Sequence, residues 1–128
     1  MKIDALANEL ENFCNTNGAK LRIVEKTWAD LASVNYTGVY VLCQADDVVY
    51  IGSGYSQKRK MRKRLGDHVS RREGKSALLK KLAKVMGLDV ADRYIRSLRL
   101  FVIEYQDLEE ALIAIADPKH NANHKKTP

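Results

Sequence analysis

Two short strings, Gly38-Val39-Tyr40 and Tyr50-Ile51-Gly52, place two phenols ten residues apart on runs that read as β-strands, Thr37–Cys43 and Asp47–Gly52. A polar turn around Gln44–Asp46 separates them. A turn centred on Ala45 would set Tyr40 directly opposite Tyr50 in an antiparallel pair, both on one face. Opposed residues lie ~5 Å apart at Cβ, so the two hydroxyls are expected to converge. Such a pair can position water or move a proton. A free phenol titrates near ~10, so acting as a base at neutral pH requires a nearby cation. The plainer alternative is a pair of ordinary cross-strand aromatics beside turn or bulge glycines.

Cations follow at once. Between Gln57 and Lys84 there are 12 Lys or Arg residues against Asp67 and Glu73, a local net of +10, while the rest of the chain nets −4. A basic segment on an acidic body predicts a polyanion footprint. The competing explanation, a solvated helix face, is weakened by the near absence of acidic partners at helical spacing.

The elements that must hold these residues come from periodicity. Ile3, Leu6, Leu10 and Phe13 predict an amphipathic helix over residues 4–14, ended by Asn15-Thr16-Asn17-Gly18. Leu21–Glu25 suits a short strand, and Thr27 with Asp30 resembles a capping box for a helical turn over Trp28–Ala32. Met61, Leu65 and Val69 give residues 57–72 one apolar seam. Leu78, Leu79, Leu82 and Val85 face inward on a helix from Ser76 to Met86, with Gly87 as its stop. Arg99–Tyr105 suits a strand buried on both faces. Asp107 and Glu110 suggest a capping box opening a last helix that runs to Ala116 and ends before Pro118. Residues 121–128 read as a polar tail. The sum is an α+β domain.

A chain of 128 residues can bury one core without disulfides or a structural metal. No apolar run approaches the ~18–20 residues of a membrane span. Nothing near Met1 resembles a secretory leader. Cys14 and Cys43 match no metal spacing, which predicts reduced thiols in an intracellular, cytoplasmic protein.

The two tyrosine strings, followed by Arg64-Leu65-Gly66-Asp67-His68, Glu109-Glu110-Ala111-Leu112-Ile113 and Pro118-Lys119-His120-Asn121, resemble the GIY-YIG nuclease family over residues 37–121. Arg64 and His68 would sit about 40° apart on a helix. The resemblance implies a three-stranded antiparallel sheet flanked by helices, with residues 1–34 as a helical extension packed on the core and 35–128 as the nuclease-like domain. It implies metal-dependent hydrolysis of phosphodiester bonds, in DNA or alternatively RNA, by a monomer or homodimer of phage, mobile-element or repair type. The rival is an inactive fold of this kind kept as a nucleic-acid-binding module.

The same resemblance assigns Tyr40, Tyr50, Arg64, His68 and Asn121 to catalysis and Glu109 to Mg²⁺ or Mn²⁺, a hard ion that retains waters and takes phosphate oxygens. Arg64 supplies a planar fork matched to phosphate; a one-turn misregister would promote Arg62 or Lys63. Glu110 is the capping residue. Which of Tyr40, Tyr50 and His68 takes the proton stays open. Ser53 and Gly54 are expected to offer backbone N–H groups to a phosphate, and Gly52 to permit close backbone approach there. Lys58, Arg59, Arg62, Lys63, Arg71 and Arg72 are expected along the nucleic-acid backbone. His120 and His124, with no third ligand, read as surface residues.

Overall fold

The apolar steps at Ile3, Leu6 and Leu10 wind Ile3–Asn17 into helix α1, which Gly18 ends in the left-handed conformation, φ 69°. The computed structural model describes residues 1–18, 21–54, 56, 60–105 and 108–124. Strand β1 is Val24–Lys26, and a 3₁₀ turn over Trp28–Ser33 follows. The Thr27 side chain makes no capping bond there; instead Trp28 Nε1 donates to the Leu98 carbonyl at 2.9 Å. The hairpin is β2 (Gly38–Gln44) and β3 (Asp47–Gly54). Helices α2 (Met61–His68), α3 (Ala77–Met86) and α4 (Leu88–Ser97) lead to β4 (Arg99–Ile103), α5 (Glu109–Ala116) and a 3₁₀ stretch over Lys119–His124.

The sheet has four antiparallel strands in the order β1-β4-β2-β3, not three. The added strand is β1, three residues long, whose Val24, Glu25 and Lys26 pair with Val102, Phe101 and Leu100. Residues 1–34 therefore supply an edge strand as well as a helix. Met1 and Ile3 also bond the backbone of Val48 and Asp46 in the hairpin.

Alternation along the central strands builds two cores. Tyr40, Leu42, Leu100 and Val102 face α2, α3 and α4, where Met61, Leu65, Leu79 and Ile95 are buried. Val39, Val41, Phe101 and Ile103 face α1 and α5, packing with Leu6, Leu10 and Leu112. Strand β4 is accordingly buried on both sides, as its composition predicts. Burying a Leu or Ile side chain contributes roughly 1.5–3 kcal/mol, which explains why periodicity located most helices.

Helix α4 was not among the expected elements. Leu88, Ala91 and Ile95 have helical spacing, but Asp89, Asp92, Arg93 and Arg96 surround them. Val85, expected inward on α3, is 81% exposed. Asp107 lies outside the described residues, so the proposed cap of α5 does too.

Gly52 shows how closely the hairpin and its contents fit. A Cβ built on Gly52 would come within 3.0 Å of the Tyr40 hydroxyl oxygen and two of its ring carbons. Overpacking of this kind costs typically ~1–3 kcal/mol. We expect Gly52→Ala to lower the unfolding free energy by about that much in denaturant titration. Adding Tyr40→Leu should leave the double variant less destabilised than the sum of the singles. Strict additivity would mean that the ring does not press on this glycine.

Candidate active site

The hairpin sets the two phenols two residues out of register. The turn is Ala45-Asp46, with Ala45 at φ 53° and Gln44 paired to Asp47. This is one position off a turn centred on Ala45, and alone it would turn Tyr50 to the opposite face from Tyr40. A bulge at Leu42/Cys43 absorbs Val49 as an extra residue and restores the face. Tyr40 therefore pairs with Gly52, and Tyr50 with Leu42. The phenols are diagonal neighbours, not opposed, with ring centroids 6.3 Å apart.

Tyr40 is fully buried and anchors a polar line running away from the sheet. Its hydroxyl lies 2.6 Å from His68 Nε2, and His68 Nδ1 lies 2.6 Å from Ser76 Oγ. Ser76 Oγ in turn accepts the Leu79 N–H at 3.0 Å, capping α3. Donor accounting allows two arrangements. If Ser76 donates to Nδ1 and Nε2–H donates to Tyr40, the Tyr40 proton points onward, out of the line towards Tyr50. The reverse tautomer turns the Ser76 proton out of the line instead. His68 also meets both phenol rings edge-on, at 5.5 and 5.7 Å.

Burial governs the titration of all three groups. It pushes Tyr40 well above the ordinary phenol value, with the charge of Tyr50 adding to the rise and Arg64 opposing it. Tyr50 is raised too, first by burial; Arg64 and a hydrogen bond from Tyr40 pull the other way, and Glu109 adds to the rise. His68 is pushed down to about 4 by burial, then by Arg64, with Asp67 opposing. The Arg64 cation thus acts on all three groups: at the two phenols it opposes desolvation without overcoming it, and at His68 it adds to desolvation.

Arg64 has its Nε buried without a hydrogen-bond partner. Glu109 lies across the strand edge on α5, half-buried, where Ser53 Oγ donates to its Oε1 at 3.0 Å. Glu110 is exposed, so the helix presents Glu109 to the site. Among the described residues no three His, Cys, Asp or Glu side chains gather as a metal site. The donor set fits a hard divalent ion held by one carboxylate, with its remaining positions left to water and phosphate.

Asn121 is almost wholly buried. Its Oδ1 accepts the Ile51 N–H and its Nδ2 donates to the Ile51 carbonyl, both at 2.8 Å. β3 is an edge strand, so this amide replaces a missing neighbouring strand. Its role here is to pin the strand, and it offers no free fork to a phosphate. Because strand amides alternate in direction, Ile51 and Ser53 turn outward while Gly52 and Gly54 turn to β2. Of the two amides expected to face a phosphate, Gly54 turns inward and Ser53 keeps the expected orientation.

The basic residues divide. Arg62 and Lys63 are exposed on α2 and, with Arg72, Lys75 and Asp67, border an open cavity of about 390 Å³. Lys63 pairs with Asp67 at 3.0 Å. Arg71 is bound to Asp89 and Asp92 of α4, so it clamps two elements and is not poised for a polyanion. Arg96 joins Asp92 and also donates to the Val69 carbonyl at 2.6 Å. Lys58 and Arg59 lie outside the described residues, as does the His124 side chain. His120 is not a surface residue but half-buried, 2.8 Å from the Tyr94 hydroxyl.

Set against protein-family models, curated proteins and solved structures, the chain matches none. No helix among the described residues is long and apolar enough to cross a membrane. Cys14 and Cys43 are both free, and burial pushes the Cys43 thiol up to about 12.

The neutral, buried state of His68 predicts acid lability. Its folded value of about 4 lies below the ordinary 6.5, so the unfolded chain binds the extra proton first. The stabilisation is complete above pH 6.5 and is lost as pH falls towards 4, amounting to about 3 kcal/mol. His120, also near 4, titrates in the same window. We expect Tm to fall steadily across it, and His68→Gln to start lower at pH 8 yet fall less steeply. A wild-type Tm unchanged from pH 6.5 to 4.5 would contradict this.

Proposed function

We propose that this chain is a metal-dependent endonuclease that hydrolyses phosphodiester bonds in DNA with a site of the GIY-YIG kind. The observation that carries the proposal is the convergence at one edge of the sheet of Tyr50, the buried Tyr40–His68–Ser76 line, an Arg64 whose Nε lacks any acceptor, and Glu109. A core that only needed packing would not retain these groups, because buried polar atoms cost free energy unless satisfied. A purely DNA-binding surface would not place Glu109 where it repels phosphate.

Each side chain then has a part. Tyr50 is the group at the end of the line; as its phenolate, which Arg64 and a bound ion would favour, it takes the proton from the attacking water and becomes the neutral phenol. Tyr40, fully enclosed and bound to His68, does not meet water; it donates towards Tyr50 and stabilises the phenolate from which the transfer starts. His68, neutral at physiological pH, keeps the Tyr40 proton directed outward. Arg64 binds the non-bridging phosphate oxygens, and those oxygens supply the acceptor its Nε lacks. Glu109 would hold Mg²⁺ or Mn²⁺, which supplies a hard positive charge for the phosphate and leaving oxygen. Arg62, Lys63, Arg72 and Lys75 hold neighbouring backbone phosphates without reading sequence.

Supercoiled plasmid with and without Mg²⁺ tests the reaction directly, nicked or linear product being expected only with the ion. Glu109→Gln and Tyr50→Phe should each lower kcat by about 10²–10⁴-fold while binding in EDTA is retained, whereas Glu110→Gln should be near wild type. Arg64→Lys keeps the charge but loses the fork and should bind yet cleave poorly. Equal loss from Glu109→Gln and Glu110→Gln would remove Glu109 from the site. Salt-sensitive DNA binding without cleavage in either ion would favour the inactive binding module.

A further inference from the structure

Among the described residues, two buried side-chain polar atoms have no hydrogen-bond partner, and both are cationic: Arg64 Nε and Lys81 Nζ. The first belongs to the site above. The second does not, and an ammonium withdrawn from water without an acceptor is costly unless an anion joins it.

The surroundings of Lys81 suit an anion. His120 lies close enough for Lys81 and Lys119 both to lower its titration, after burial, to about 4. Tyr94 Oη sits 2.8 Å from His120 Nε2, and both Tyr94 Oη and Lys119 Nζ donate to Gln44 Oε1 at 3.3 Å. Tyr94 and Lys119 thus meet at Gln44, at the hairpin end of the sheet, with His120 bound to Tyr94 and within electrostatic reach of the buried Lys81 ammonium. Asp47, the carboxylate that feels Lys119, is already bridged to Lys2 at 2.9 Å. The cluster adjoins the first site through one connection: Asn121, which follows His120, grips Ile51, which follows Tyr50.

We propose that Lys81, with His120 and Lys119, forms a second phosphate-binding subsite, which holds a backbone phosphate of the nucleic-acid strand lying along the β3 edge. The phosphate chemistry follows from the unpartnered ammonium and its cationic neighbours; the strand as its source rests on the proposed nuclease function. A phosphate there gives Lys81 the acceptor it lacks. It also raises the cost of removing the lysine from function but not from the fold, because the free protein carries an uncompensated charge.

The test uses the full chain in EDTA, so it is independent of cleavage. Thermal unfolding is measured in inorganic phosphate and in chloride at matched pH and ionic strength, alongside binding of a short DNA duplex. Lys81→Met is expected to raise Tm in chloride, to lose most of the phosphate-induced rise seen in wild type, and to bind the duplex several-fold more weakly. Its salt dependence should flatten by about 0.9 in log–log slope, the value for one phosphate contact. Lys81→Arg should keep the phosphate response, and the His120 ring resonances should move with phosphate in wild type. The proposal is overturned if phosphate stabilises wild type and Lys81→Met equally, or if Lys81→Met lowers Tm in chloride. A lost phosphate response with unchanged duplex affinity overturns the strand assignment and points to a free phosphorylated molecule. A chain that never cleaves with Mg²⁺ but shows the Lys81-dependent responses keeps the subsite and loses the nuclease reading.

Discussion

The hydrogen bond between Tyr40 and His68 constrains most of the molecule around it. It joins the central hairpin to α2, and the second nitrogen of the same ring extends the link to Ser76, the cap of α3. Three elements are thereby fixed by one imidazole with no solvent to substitute for a lost partner. Buried polar groups are tolerable only when every member is satisfied. The arrangement therefore demands a flat space over Gly52 for the Tyr40 ring, a neutral His68, and an N-terminus of α3 aimed at the sheet. Local capping chemistry and site geometry are here the same interaction.

A second constraint acts at the edge of the sheet. β3 has a neighbour on one side only, and an open edge invites pairing with another chain. The chain covers Ile51 with the amide of Asn121, which copies the two bonds a further strand would make. The return of the chain to that edge brings α5 alongside β3, and with it Glu109 against Ser53. Protection of the edge and delivery of the carboxylate have a common structural cause. Both cores are filled on either side of the same strands, and the polar groups collect towards the β3 border of the sheet.

What the sequence made legible follows from this division. Helices with a clean apolar face, such as α1 and α3, were readable because burial of that face is what forms them. Helix α4 was not, since Asp89 and Asp92 look like solvent residues until Arg71 and Arg96 are seen to meet them. The same blindness made Arg71 look like a free cation. Tyr40 and Tyr50 were correctly placed on one face, but by a register that differs in two steps whose parities cancel. Neither the turn nor the bulge has a residue signature strong enough to foresee; Ala45 at positive φ is an unfavoured choice. Nothing local marked Ser76 as the partner of His68, because the pairing depends on where α3 begins. Asn121 sat in a polar tail by composition, and only the position of the free strand edge reveals why it is buried.

The charges show where folding and function separate. Arg71, Arg96 and Arg99 all have carboxylate partners, Arg99 reaching both Glu25 and Asp46. These pairs complete the fold by themselves, and as partly exposed ion pairs they contribute modestly. Arg64 and Lys81 differ in kind, since each keeps a buried nitrogen without an acceptor. A fold optimised for stability alone would replace or pair such groups, because the desolvation of an unmatched cation opposes folding. Arg64 acts through its charge on the phenols and Lys81 on His120. Under the proposed function one extended polyanion would supply both with an acceptor, along an edge that Asn121 keeps closed to another strand.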